Sequence, residues 1–280
     1  MDGLTTEALI RAALAEDVGP GDFTSLWTVP ADREVEARLI AKETGTISGM
    51  DVAAGVFLEV DPSLRLTVHL GDGAQAESGQ EVMHVAGNAR SILTAERVAL
   101  NFLQRLSGVA TLTRRYVDAV AGTGARILDT RKTTPGMRAI EKAAVRAGGG
   151  ENHRFGLHDM VLIKENHIAA AGGITAAVGA VARHNDRRLR VEVETRNLDE
   201  VREAVEVGVD RILFDNMPND LLRQAVWIVT ESEMLIEMEA SGGVTLRTVR
   251  GIAETGVDFI SVGALTHSAP ALDLSLLIAL

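Results

Sequence analysis

The sequence predicts an α/β protein whose larger part is an α/β barrel, open or incomplete. Three observations predict it. After Gly124, short apolar strands alternate with amphipathic helices, which implies a parallel sheet with helical crossovers. Nearly every strand runs into charged or polar residues, as strands do at the mouth of an α/β barrel. No Gly-x-Gly-x-x-Gly follows any of them, so a dinucleotide-binding fold lacks its phosphate turn.

The elements follow in chain order. The first part reads as α+β. Leu4 to Ala15 is an amphipathic helix, with Leu9, Ile10, Ala13 and Leu14 on one side. Asp17 to Asp22 is a turn. Val35 to Ala41 alternates, and Leu64 to Leu70 alternates more cleanly, so both are strands. A helix runs from Ser91 to about Leu106, Ser107-Gly108 interrupts it, and a second helix reaches about Val120. The barrel strands are Arg126–Asp129, Met160–Lys164, Leu189–Glu194, Arg211–Phe214, Leu235–Glu239 and Phe259–Val262. Helices fill most of the gaps: Met137–Ala147, Thr175–Arg183, Leu198–Val207, Asn219–Val229 and Thr245–Thr255. Two helix-to-strand joints nearly repeat, Val207-Gly208-Val209-Asp210-Arg211-Ile212 and Thr255-Gly256-Val257-Asp258-Phe259-Ile260.

Composition narrows the function. The 280 residues are 46% apolar, enough for a barrel plus a smaller domain. No apolar run approaches the ~18 residues of a membrane span, and the start of the chain lacks the features of a signal peptide. There is no cysteine, which excludes disulfides, thiol nucleophiles and thiolate metal sites. These points lead to the expectation of a cytoplasmic protein. The net charge of -11 disfavours nucleic acid and anionic membrane as partners. Against that background, residues 126–154 form a basic island that suggests a local anion site. Arg138, Lys142 and Arg146 are spaced as one solvated helix face.

Alternation sharpens the strand ends. Val191 and Val193 oppose Glu192 and Glu194, and Ile236 and Met238 oppose Glu237 and Glu239. The outer face of a barrel packs on helices and should be apolar, so the glutamates point inward. Lys164 shares a face with Leu162 and Met160, and Asp215 with Leu213, so these charges can converge. Buried carboxylates need cations or a metal ion. For Glu192 and Glu237, which lie deeper, an internal salt-bridge network is the alternative.

Anion sites are read separately. Thr134 followed by Pro135 looks like an N-cap and first turn beside Arg131 and Lys132. Ser241-Gly242-Gly243 and, one strand later, Gly263-Ala264 suit phosphate better, because late glycine loops let backbone N–H groups approach the oxygens. Asn152-His153-Arg154 follows three glycines, which reads as a flexible turn presenting side chains.

These stretches together resemble the quinolinate phosphoribosyltransferase family, also called nicotinate-nucleotide pyrophosphorylase (carboxylating). The matching motifs are Glu96-Arg97-Val98-Ala99-Leu100-Asn101, Asp129-Thr130-Arg131-Lys132-Thr133-Thr134-Pro135-Gly136, Gly148-Gly149-Gly150-Glu151-Asn152-His153-Arg154 and Val161-Leu162-Ile163-Lys164-Glu165-Asn166-His167. They continue with Glu192-Val193-Glu194, Phe214-Asp215-Asn216, Glu239-Ala240-Ser241-Gly242-Gly243 and Ser261-Val262-Gly263-Ala264-Leu265-Thr266. One departure is visible. The family usually has Asp where this chain has Glu165, which keeps the charge and adds a methylene.

The resemblance implies an N-terminal α/β sandwich domain over residues 1–108, rejoined by about 268–280, and an open seven-stranded α/β barrel over 109–267. It implies transfer of the phosphoribosyl group of phosphoribosyl pyrophosphate to quinolinate, with loss of one carboxylate, in NAD biosynthesis. Arg131, His153, Arg154 and Lys164 would bind quinolinate, together with the partner's Arg97 across a homodimer whose sites are shared; a hexamer stays open. Lys132 would meet the diphosphate. Glu194 and Asp215 would hold Mg²⁺ and the ribose hydroxyls, directly or through water. Backbone N–H groups near Ser241, Gly242, Gly243 and Gly263 would take the 5-phosphate. Lys132, Lys164, Glu194 and Asp215 are the implied catalytic set. Three alternatives fit less well. A paralogue of similar fold encoded with molybdate transport components is disfavoured because all the dicarboxylate-binding positions are present, Asn152-His153-Arg154 included. A transferase for nicotinate needs fewer cations, and a non-catalytic barrel would have lost Glu194 or Asp215.

Overall fold

The computed structural model describes residues 5–278. Twelve strands run along them: β1 (Glu34–Ala41), β2 (Gly45–Thr46), β3 (Arg65–Val68), β4 (Gln75–Ala76), β5 (Glu81–Asn88), β6 (Arg126–Leu128), β7 (Val161–Ile163), β8 (Val191–Thr195), β9 (Arg211–Asp215), β10 (Glu237–Ser241), β11 (Phe259–Ser261) and β12 (Leu274–Ile278). The chain forms two compact units. One holds the residues up to 114, 133–149 and those from 265 onward; the other holds 115–132 and 150–264.

The first unit is built on an antiparallel sheet in the order β12-β1-β5-β3. Ala37, Leu39 and Ala41 alternate into its core, as the pattern of β1 predicts. The C-terminal strand pairs with β1. The alternation from Leu64 to Leu70 yields only β3, and Val68 is 46% exposed. β3 is the sheet edge and pairs with β5 alone, so its apolar side is only partly covered. The first helix is Thr6–Val18, capped by the Thr5 hydroxyl; its expected start at Leu4 lies outside the described residues. Gly19, with φ +51, ends that helix, and the Asp22 carboxylate caps a short helix over Phe23–Thr28.

The expected break at Ser107-Gly108 does not occur. One helix runs from Ala89 to Ala119. Ser107 is fully buried, and its hydroxyl accepts the Ser48 N–H at 3.0 Å. A Cβ on Gly108 would lie 2.0 Å from the Pro270 carbonyl oxygen. The pair therefore admits a neighbouring backbone and does not stop the helix. Gly148 does similar work. A Cβ on Gly148 would meet the Ala110 carbonyl oxygen at 2.4 Å, so close packing, not flexibility, explains that residue.

The second unit is a six-stranded parallel sheet in the order β6-β11-β10-β9-β8-β7. Its first strand pairs with its last, as in a barrel, while the gap lies between β6 and β7. Six strands stand where seven were expected; on the free side of β6 Glu151 forms only a one-residue parallel bridge to Leu128. The strands match the periodic pattern to within two residues. The largest offset is β10, expected from Leu235, which is instead fully exposed. A shift of two residues preserves the facing of every side chain. The helices Ile174–His184, Leu198–Val207 and Asn219–Glu231 follow expectation, while Thr245–Thr255 shrinks to Val249–Ala253.

The repeated joints have a shared purpose. Gly208 and Gly256 take φ of +71 and +98, and Val209 and Val257 are buried. The Asp210 carboxylate accepts the Val191 N–H at 2.6 Å, and the Asp258 carboxylate accepts the Met238 N–H at 2.8 Å. Each joint thus satisfies a backbone donor at or next to the start of the preceding strand.

Candidate active site

The carboxyl ends of the barrel strands surround a cavity of roughly 490 Å³, within the range of small-molecule sites. Arg131, Lys132, His153, Arg154, Lys164, Glu194, Asp215, Ser241, Gly242 and Gly243 line it. Gly263, after β11, is half-buried and does not line it. Arg97 belongs to the first unit, exposed on the helix Ala89–Ala119.

Asp129 organises the basic wall. It is fully buried just past β6. Its carboxylate accepts the Asn152 side-chain amide at 2.6 Å and the His153 backbone N–H at 2.9 Å. This holds Asn152-His153-Arg154 in place, where sequence alone suggested a loose turn. The Arg154 guanidinium donates to the Met160 carbonyl at 3.1 Å. Burial and the positive charge of Arg131 both lower the Arg154 pKa. An anion bound beside Arg154 relieves both effects.

Behind this wall lies a buried ionic cluster. His153 Nε2 is 3.1 Å from Glu192 and 3.4 Å from Glu239, both fully buried. Arg211 reaches Glu239 at 3.0 Å and Glu237 at 2.6 Å, and Arg190 also reaches Glu237. The glutamates do point inward, as alternation requires. Glu192 and Glu237 belong to structural ion pairs, the alternative stated above, and Glu239 joins them. Burial and the nearby charge of Glu239 raise the Glu192 pKa. Burial opposes ionisation of Glu239, yet His153 and Arg211 hold its pKa down.

Opposed forces act on the His153 ring. Burial lowers its pKa, but hydrogen bonds to Glu192 and Glu239 outweigh this and raise it to about 9. Yet Nδ1 accepts the Arg154 N–H at 2.7 Å. A second proton on Nδ1 would face that N–H, so full protonation has to displace the Arg154 amide. Nε2 points its proton toward the glutamates. His153 thereby fixes the backbone of Arg154.

The acidic wall is Glu194 and Asp215, both half-buried. Lys164 lies 3.7 Å from Glu194, and the Glu165 N–H donates to Glu194 at 3.3 Å. The Glu165 carboxylate itself pairs with Arg196 and does not line the cavity. Gly242 and Gly243 take φ of +98 and +59 after β10, conformations that favour glycine and open backbone N–H groups to a ligand.

The helix-start reading at Thr134 is corrected. The helix begins at Arg138. The Thr134 N–H and hydroxyl both donate to Glu141, at 3.0 and 2.8 Å, and Glu141 is buried against Arg105 at 2.9 Å. The chain's own carboxylate occupies that turn. Lys142 is also buried, so the expected solvated face is interrupted. Asp129, Thr130, Asn216 and Ser261 are polar residues around the site to which the sequence assigned no role.

Comparison with known proteins gives the same family over both units. Residues 22–107 match the quinolinate phosphoribosyl transferase N-terminal domain, and residues 109–277 its C-terminal domain. The chain is 48% identical to the chloroplastic nicotinate-nucleotide pyrophosphorylase (carboxylating) of Arabidopsis thaliana, over 96% of this chain and 82% of that protein. It is 46% identical to quinolinate phosphoribosyltransferase (decarboxylating) 1b of Nicotiana tabacum, over 96% of this chain and 81% of that protein. The solved nicotinate-nucleotide pyrophosphorylase of Francisella tularensis superposes with a TM-score of 0.93 at 42% identity, covering 98% and 96% of the two chains. No described helix is long and apolar enough to cross a membrane.

Proposed function

This chain belongs to the quinolinate phosphoribosyltransferase family, and we infer that its cavity joins quinolinate to phosphoribosyl pyrophosphate with loss of CO₂, giving nicotinate mononucleotide for NAD synthesis. The observation that carries the reading is one cavity lined by the guanidiniums of Arg131 and Arg154 and, separately, by two half-buried carboxylates. The first set suits a planar dicarboxylate, because each guanidinium fork donates two parallel bonds. The second suits a metal-bound ribose.

In this proposal Arg131, Arg154 and Lys164 hold the quinolinate carboxylates. His153 acts through the backbone of Arg154, and the partner's Arg97 completes the site in a homodimer. Lys132 meets the diphosphate. The backbone around Ser241, Gly242 and Gly243 takes the 5-phosphate. Glu194 and Asp215 are hard oxygen donors that suit Mg²⁺, either directly or through water, since Mg²⁺ keeps several waters. Mg²⁺ bound there supplies positive charge to the diphosphate. Cytoplasmic residence belongs to the same proposal.

The chemistry needs no covalent nucleophile. The bond from ribose carbon to diphosphate breaks, and its electron pair leaves with the diphosphate, beside Lys132. Glu194 and Asp215 stabilise the positive charge that develops on the ribose. The lone pair of the ring nitrogen forms the new bond to carbon. The nitrogen becomes a pyridinium, so the neighbouring carboxylate departs as CO₂. The electron pair left on the ring carbon is stabilised by that positive nitrogen and is taken up by a proton.

Calorimetric titration tests this division of the cavity. Arg154→Ala is expected to weaken quinolinate binding while phosphoribosyl pyrophosphate with Mg²⁺ binds nearly as before. Asp215→Asn is expected to do the reverse. Equal weakening of one ligand by both changes would contradict the assignment.

A further inference from the structure

One side chain touches both ends of the proposed phosphoribosyl site. Asn216 follows β9 with φ +55, a left-handed conformation that asparagine tolerates better than most residues. Its backbone N–H donates to the Ser241 carbonyl at 2.8 Å, which ties the turn after β9 to the end of β10. Its side-chain Nδ2 donates to Asp215 Oδ2, also at 2.8 Å. The same amide lies over Gly242, where a Cβ would come within 2.2 Å of Asn216 Oδ1. Only glycine at 242 leaves room for it.

We propose that Asn216 is a positioning residue that fixes the Asp215 carboxylate relative to the Ser241–Gly243 loop, so that the ribose side and the phosphate side of the phosphoribosyl pyrophosphate site keep one spacing. The inference rests on the roles assigned above to Asp215 and the glycine loop. The amide does two things that neighbouring chemistries cannot do together. It donates a hydrogen bond to a carboxylate, which an aspartate at 216 could not. It also fills the space over Gly242, which a glycine at 216 would leave empty. The left-handed backbone by itself needs neither, since glycine adopts it freely.

Two variants separate the side chain from the backbone. Asn216→Gly keeps the left-handed turn and removes the amide. Asn216→Asp keeps its shape, removes the donor and sets a second carboxylate beside Asp215. The probe is phosphoribosyl pyrophosphate with Mg²⁺, titrated calorimetrically, with quinolinate as the control ligand and Asp215→Asn as the reference. Both Asn216 variants are expected to weaken phosphoribosyl pyrophosphate binding about tenfold or more, the effect of losing a hydrogen bond to a charged group. Its KM should rise in step, while quinolinate binding stays within about twofold. Thermal unfolding checks that each variant is folded. Wild-type binding in Asn216→Gly would overturn the inference, because the turn alone would then suffice. Equal weakening of both ligands would overturn it as well. If these variants bind normally while Asp215→Asn does not, this inference fails and the assignment of Asp215 stands. If Asp215→Asn also binds normally, both fail.

Discussion

Nicotinate, offered in place of quinolinate, is expected to show a kcat/KM lower by ~10⁴-fold or more. The reason lies in the basic wall. Arg131 and Arg154 are close enough that the charge of one lowers the pKa of the other, and His153 and Met160 hold Arg154 in place through its backbone N–H and its guanidinium. Quinolinate brings a carboxylate for each part of this cluster. Nicotinate lacks the one beside the ring nitrogen and would leave a desolvated cation without its partner, a cost that hydration no longer offsets. Steady-state rates with each acid at saturating phosphoribosyl pyrophosphate measure the ratio. Comparable turnover of the two acids would contradict the dicarboxylate reading.

Subunit mixing is expected to restore activity between two dead variants. In the proposed dimer an Arg97→Ala subunit lacks a residue for its partner's site, and a Lys132→Ala subunit lacks one for its own. Each homodimer should fall by on the order of 10²-fold or more, as when a charge-stabilising donor is removed from a site. A mixed dimer has one site with both defects and one with neither. Under random exchange, activity should therefore approach roughly a quarter of wild type, because two-fold symmetry places one shared site at each end of the interface. Exchange shown by mass spectrometry without recovered activity would remove Arg97 from the partner's site.

The barrel was legible because its strands are short, apolar and bounded by helices, so period alone locates them. Facing was legible for the same reason, and it survived the two-residue offset of β10. The helix Met50–Val60 was not legible. Its N-terminal donors are satisfied by Asp72, which accepts the Gly49 and Met50 N–H groups at 3.0 Å. No local cap announces that helix, because the cap comes from a distant loop. Ser107-Gly108 misled for a related reason: it reads as punctuation, yet its partners are Ser48 and Pro270.

The cavity was legible in its charged residues and less so in what supports them. Lys164, Glu194 and Asp215 follow from strand faces and ends. Asp129 carried no signal of its own, since a carboxylate just past a strand reads equally as ligand or as support. Only the bonds to Asn152 and His153 show that it is support. Glu192 and Glu237 share the period of Glu194 and Glu239, and period cannot tell depth. The reach of Arg211 and His153 from other strands and loops draws Glu192, Glu237 and Glu239 into ion pairs and leaves Glu194 to the cavity. Arg97 came from the family resemblance alone.

The most direct measurement follows the carboxylate itself. Quinolinate labelled in the carboxylate next to the ring nitrogen is incubated with the protein, phosphoribosyl pyrophosphate and Mg²⁺. The predicted result is labelled CO₂, nicotinate mononucleotide and diphosphate in equal amounts, with no label released when phosphoribosyl pyrophosphate is left out. Label retained in the nucleotide, or released without phosphoribosyl pyrophosphate, would contradict the coupling of transfer to decarboxylation in this cavity.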